Sequence, residues 1–140
     1  MSSGGEPALS PENHVLALVV ERNPIVQKLE RFFLEQAGYV VEFAQDGMTA
    51  LARAHELRPA ILVTEVLVPA LDGLSLCQRL KADPETRSII VLIFSHLEAE
   101  DRAAEAGADA YLKKPIREEH LVETLGRLIA KHQESRRKKA

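Results

Sequence analysis

With 140 residues, 46% apolar and 28% charged, the chain has the size and composition of one globular domain able to bury a substantial core. Its apolar runs fall far short of the ~20 residues of a membrane span. The lone Cys77 excludes an internal disulfide and any multi-cysteine metal site, and the first residues lack the basic and apolar regions of a secretory signal. The net charge of −3 divides into −2 over residues 1–13, +4 over residues 131–140 and −5 over the body. An acidic body argues against a nucleic-acid surface, so the expectation is a cytoplasmic protein with neither nucleic acid nor membrane as partner.

Residues 1–13, small and polar with Pro7 and Pro11, read as a disordered leader. From Val15 onward, short runs rich in Val and Ile alternate five times with longer segments at helical period. That alternation predicts a parallel sheet covered on both faces. The first strand, Val15–Val20, runs into Glu21-Arg22. Asn23 and Pro24 then form a cap and an N1 proline, opening a helix that predicts Ile25, Leu29, Phe32 and Phe33 inward and Gly38 as the residue past its end. Val40–Ala44 is the second strand. Asp46-Gly47 starts a helix with Leu51 and Ala54 inward, and Pro59 stops it. The third strand, Ala60–Thr64, ends on Glu65 and is followed by a Pro/Gly loop and a helix burying Leu74, Cys77 and Leu80. Ile89–Phe94 forms the fourth strand, ending on Ser95. The helix after it, Glu98–Ala106, has only Leu97 and alanines to offer the sheet. Ala110–Leu112 is the fifth strand, leading to Lys114-Pro115. A last helix from Arg117 to about Lys131 turns Leu121, Leu125, Leu128 and Ile129 inward, leaving residues 132–140 as a solvated basic tail. The body, residues 14–131, is thus expected to be one α/β domain, a flavodoxin-like (βα)5 sheet of strand order 2-1-3-4-5.

In such a sheet the chemistry gathers at the carboxyl ends of the strands, which brings Glu21, Arg22, Glu65, Ser95 and Lys114 together. The order and separation of these residues are specific. Glu65 is followed by Pro69 at four residues and by Asp72-Gly73 at seven and eight; Ser95 lies thirty residues on, and Tyr111 precedes Lys114 by three. The pattern resembles the receiver domain of bacterial two-component response regulators, over about residues 14–131. The resemblance implies a phosphate-accepting aspartate where Glu65 stands and a pair of metal-holding acids where Glu21 and Arg22 stand. It also implies a hydroxyl at Ser95, a lysine at Lys114 followed by a proline usually in cis, and a switch aromatic at Tyr111.

The departures set the expected mechanism. A hard dication needs carboxylate oxygens, and Arg22 supplies a permanent positive charge instead. A guanidinium ~5 Å from a dication meets a gross repulsion of about 6 kcal/mol at an effective dielectric of ~20, and a third of that costs more than tenfold in affinity. Glu65 also carries its carboxylate ~1.5 Å further out than an aspartate would, where a 1 Å misplacement can cost on the order of 100-fold. The expectation is a pseudo-receiver. It is not an enzyme, needs no cofactor, and binds Mg²⁺ weakly or not at all (through Glu21 and Glu65 if anywhere). Arg22 and Lys114 are expected to flank Glu65 in place of metal. Partner recognition, by a histidine kinase or a downstream effector, is expected on the face made by the fourth helix, fifth strand and fifth helix, using Leu97, Arg102, Tyr111 and Arg117; a homodimer is also open. From Ser95 to Lys114 is nineteen residues, about three fewer than the resemblance implies, so the fourth helix should be about one turn short. Three rivals stand beside this reading. One is a receiver still phosphorylated at Glu65. The second is a flavodoxin-like ligand-binding domain, which Glu21-Arg22-Asn23-Pro24 suits poorly because phosphate cradles favour Gly, Ser and Thr. The third is a hydrolase with an aspartate nucleophile, for which the first strand end lacks a D-x-D pair.

Overall fold

The computed structural model describes residues 15–114 and 117–139, so the leader at residues 1–13, His14 and the Lys-Pro peptide at Pro115 lie outside the described residues. Five parallel strands form one sheet in the order β2-β1-β3-β4-β5, as expected. The elements are β1 (Val15–Val20), α1 (Pro24–Gln36), β2 (Tyr39–Ala44), α2 (Gly47–Leu57), β3 (Ile61–Thr64), α3 (Gly73–Ala82), β4 (Ile90–Ser95), α4 (Glu100–Glu105), β5 (Ala110–Lys113) and α5 (Glu118–Lys139). Both faces of the sheet are buried, which is why the strands read as continuous apolar runs. One core packs Leu18, Leu62, Val91 and Ile93 against Ala50, Ala54, Leu76, Cys77 and Leu80. The other packs Ala17, Val19, Ile61 and Leu92 against Leu34, Leu121 and Leu125.

Local chemistry starts and stops the helices. The Asn23 side chain accepts from the amides of Ile25 and Val26, with Pro24 behind it. Asp46 and Asp72 cap α2 and α3 by accepting from the amides of Thr49 and Ser75. Gly38, at φ +96, closes α1 and donates to the Glu35 carbonyl. Arg58 takes the same left-handed conformation, φ 48, at the end of α2.

Three expectations are corrected. In α1 the stripe Ile25, Leu29 and Phe32 faces outward, 78%, 46% and 58% exposed, whereas Leu34 is buried and Phe33 half-buried. The helix carries two apolar stripes, and periodicity gives spacing without saying which stripe meets the sheet. Helix α4, expected over Glu98–Ala106, spans only Glu100–Glu105 and has no side-chain cap; alanines face the sheet as expected, Ala103 within the helix and Ala99 and Ala106 at its ends. Helix α5 continues past Lys131 to Lys139, because the Lys- and Arg-rich tail is made of good helix formers and contains no breaker.

Candidate functional site

Strand register puts three carboxyl ends side by side: Val20 pairs with Thr64, and Thr64 with Ile93. The residues immediately beyond them are Glu21 and Glu65, next to Phe94. Lys114 joins them because its backbone N–H donates to the Ser95 carbonyl at 2.8 Å, extending the ladder one residue past β5.

Two glycines hold the loop that carries Glu65. The Gly47 amide donates to the Pro69 carbonyl and the Gly73 amide to the Val66 carbonyl, at 2.9 and 2.8 Å. A Cβ at Gly73 would lie 2.1 Å from the Glu65 carbonyl oxygen, and one at Gly47 would lie 1.8 Å from that of Leu71. Only glycine lets the amino ends of α2 and α3 come this close. The Thr64 hydroxyl donates to the Glu65 carbonyl as well, at 2.9 Å.

Both oxygens of the Glu65 carboxylate are engaged. Oε1 accepts from the Val66 amide at 2.9 Å, and Oε2 faces Lys114 Nζ at 3.2 Å, each side chain 24% exposed. The ammonium also sits 4.9 Å from the centre of the Phe94 ring, a cation–π contact the sequence reading missed. Glu21 turns back on its own loop: Oε2 accepts from the Asn23 amide at 3.0 Å, and its carbonyl accepts from the Gln27 side chain at 2.6 Å.

Two expected site residues are placed differently. Arg22 is exposed at the mouth of the cleft and has neither an ion pair nor a hydrogen bond among the described residues, so Lys114 alone contacts Glu65. Its long side chain is better hydrated outside than held beside Lys114. Ser95 is fully buried and its Oγ accepts from the Leu97 amide at 3.2 Å; it lines neither the cleft nor the recess beneath it. The open cleft, about 340 Å³, is walled by Glu21, Arg22, Glu65, Leu67, Pro69 and Asp72. Leu67, 71% exposed, and Pro69 were not foreseen as its walls.

On the neighbouring face, the Tyr111 hydroxyl donates to the Leu97 carbonyl, and the ring packs against the α3–α4 core. Arg102 and Arg117 are exposed. Lys113 pairs with Glu98 across the loop before α4.

A profile of the response regulator receiver domain matches residues 17–126. The chain belongs to this family. It is 34% identical over 115 residues to the "DNA-binding dual master transcriptional regulator RpaA" of Synechocystis sp., covering 80% of this chain but only about half of RpaA, 48%. A crystal structure of a putative response regulator from Chloroflexus aurantiacus superimposes with a TM-score of 0.79 at 31% identity, over 84% of this chain and 98% of that one. The receiver domain of the sensor histidine kinase PA1611 from Pseudomonas aeruginosa, described with a magnesium ion coordinated in its active-site cleft, gives 0.76 at 27% identity, over 84% and 98%. This receiver is therefore a signalling module of two-component systems with a flavodoxin-like fold. Among its described residues no helix is long and apolar enough to cross a membrane.

The donor set of this receiver fits a hard dication poorly. Of the three carboxylates that line the cleft, Asp72 has both oxygens on Ser75, Glu65 has one oxygen on an amide and the other on Lys114, and Glu21 has one oxygen on the Asn23 amide. Arg22 brings a cation to the position after Glu21, where a hard dication would call for a second carboxylate.

Proposed function

We propose that this receiver is a pseudo-receiver: a protein-interaction module of the cytoplasm, held in one state and not phosphorylated by a partner histidine. The observation that carries the reading is the contact between Lys114 Nζ and Glu65 Oε2 at 3.2 Å. The pocket supplies its own anion–cation pair where phosphoryl transfer needs a free acceptor oxygen and a neutralising metal. The extra methylene of Glu65 supports this, since it brings the carboxylate to the lysine and spends the attacking oxygen on that contact. Signalling partners, a histidine kinase or a downstream effector, meet the surface formed by α4, β5 and α5.

Acetyl phosphate with Mg²⁺ tests the reading. Intact mass spectrometry is expected to show no phosphoryl adduct, whereas an adduct mapped to Glu65 overturns it. In the double variant Arg22→Asp with Glu65→Asp, Mg²⁺ affinity is expected to rise at least about tenfold, because a repulsive cation becomes a ligand. One observation favours the rival of a still-active receiver: Glu21 and Glu65 line one cleft while Arg22 stands at its mouth. That rival requires wild-type protein to bind Mg²⁺ as tightly as the double variant.

A further inference from the structure

At the opposite end of the sheet, where α2 and α3 finish, lies a cluster that the phosphorylation pocket does not use. His55 comes from the last turn of α2, Asp83 caps the carboxyl end of α3, and Glu85 follows in the next turn. One ligand atom from each lies within 4.8 Å of the other two. We propose that His55, Asp83 and Glu85 form a binding site for a first-row divalent cation of the Zn²⁺ class, with water completing the coordination.

The His55 ring carries the argument. Nδ1 is 3.1 Å from the Leu51 carbonyl oxygen and Nε2 is 2.8 Å from Asp83 Oδ2, so an acceptor faces each ring nitrogen. A neutral imidazole has one N–H and satisfies one of them. With Nδ1–H given to Leu51, the Nε2 lone pair points at a carboxylate, and a cation between them, a second proton or a metal, resolves the contact. The other tautomer gives Nε2–H to Asp83 and leaves the bare Nδ1 facing a carbonyl, so only a cation satisfies both partners. A backbone carbonyl on Nδ1 is the outer-shell partner that fixes a ligating histidine with Nε2 toward the metal. Opening the gap from 2.8 Å to the ~3.3 Å that two ligands at ~2.0 Å from a tetrahedral centre require is a small adjustment.

Asp83 is held too. Its Oδ1 accepts from the Glu85 amide at 2.9 Å, which leaves Oδ2 for His55. The turn is fastened from beneath by the buried Thr86 hydroxyl, which donates to the Leu80 carbonyl at 2.8 Å. The carboxyl ends of two helices converge here, and their dipoles favour positive charge. Imidazole plus carboxylate selects borderline metals over Mg²⁺ or Ca²⁺. One group opposes the site: Arg58 holds Glu85 at 3.0 Å in an exposed pair, 53% and 64% accessible, which an incoming dication must displace. Such pairs are weak.

Zinc chloride titrated into metal-free full-length protein by isothermal calorimetry tests the site. One equivalent is expected to bind, and His55→Ala and Asp83→Asn are each expected to weaken it more than tenfold. Arg58→Gly, which removes the competitor and suits the left-handed backbone at that position, is expected to tighten binding several-fold. Binding that is absent in the wild type, or unchanged in both His55→Ala and Asp83→Asn, overturns the proposal. A thermal melt of each variant without metal separates loss of the site from loss of the fold. The Arg58→Gly arm asks for a gain, which a merely damaged protein does not give.

Discussion

Helices α3 and α4 lie on the same face of the sheet and share one core, yet they are built from different material. Helix α3 has ten residues, a side-chain cap from Asp72, and Leu76, Cys77 and Leu80 entirely buried. Helix α4 has six, no side-chain cap, and for its inner face only Ala103 with the flanking Ala99 and Ala106. Burial of a leucine contributes about 1.5–3 kcal/mol, an alanine far less. A six-residue helix also has almost no stability of its own. The contrast assigns rigidity to the side that carries Glu65 and pliancy to the side of α4, the face proposed above to meet partners. Cys77 spans the two, its Sγ donating to the Ala106 carbonyl at 3.4 Å.

Breaking the strong side should give the largest effect. Leu80→Ala is expected to lower unfolding free energy by about 2–5 kcal/mol in urea titrations. Gly73→Ala comes next, at about 1–3 kcal/mol, since the new methyl must push back the Glu65 backbone. It should also perturb the Glu65–Lys114 contact, visible as shifted Lys114 resonances. Asp72→Ala removes a cap and is expected to cost about 1 kcal/mol. The Ser75 amide and hydroxyl hold the Asp72 carboxyl below its ordinary range. Its contribution is therefore present above the usual carboxylate pKa and lost as pH falls through the depressed one, so the variant and wild type should converge in strong acid.

The pliant side is read through Cys77. Burial pushes its thiol up to about 11, so in the closed form it stays protonated and unreactive at neutral pH. This neutral-thiol contribution to stability is full below the ordinary thiol range and fades as pH rises toward about 11. Iodoacetamide is expected to label Cys77 through opening of α4, faster in Ala103→Gly with a global melt shifted by about 1 kcal/mol at most. Equal labelling rates in the two proteins would erase the distinction between the helices. Smallest of all, Arg102→Glu and Arg117→Glu should leave the melt unchanged while weakening capture by a cognate kinase or effector.

All five strands, their order and the helix boundaries set by Asn23, Gly38, Asp46 and Pro59 were legible because each rests on local chemistry or a short apolar run. The outward stripe on α1 was not, since Ile25, Leu29 and Phe32 have the same spacing as residues that do pack. At the site, Glu21, Glu65 and Lys114 line one recess, a proximity that follows from the strand ends. The orientation of Arg22 and the inward turn of the Ser95 hydroxyl depend on side-chain torsions that spacing does not encode. Phe94 beneath Lys114 was readable as a strand residue but not as a partner of its charge. His55, Asp83 and Glu85 stand up to thirty residues apart in sequence, and only the packing of α2 against α3 makes them neighbours.

The contact between Gly73 and the carbonyl of Glu65 has a mechanical corollary. With no room at residue 73 for even a methyl group, the main chain under the acid is pinned, and only its side-chain torsions can adapt. Any rearrangement that frees this carboxylate must therefore come from rotation of the Glu65 side chain or from withdrawal of the Lys114 ammonium, not from a shift of the strand end.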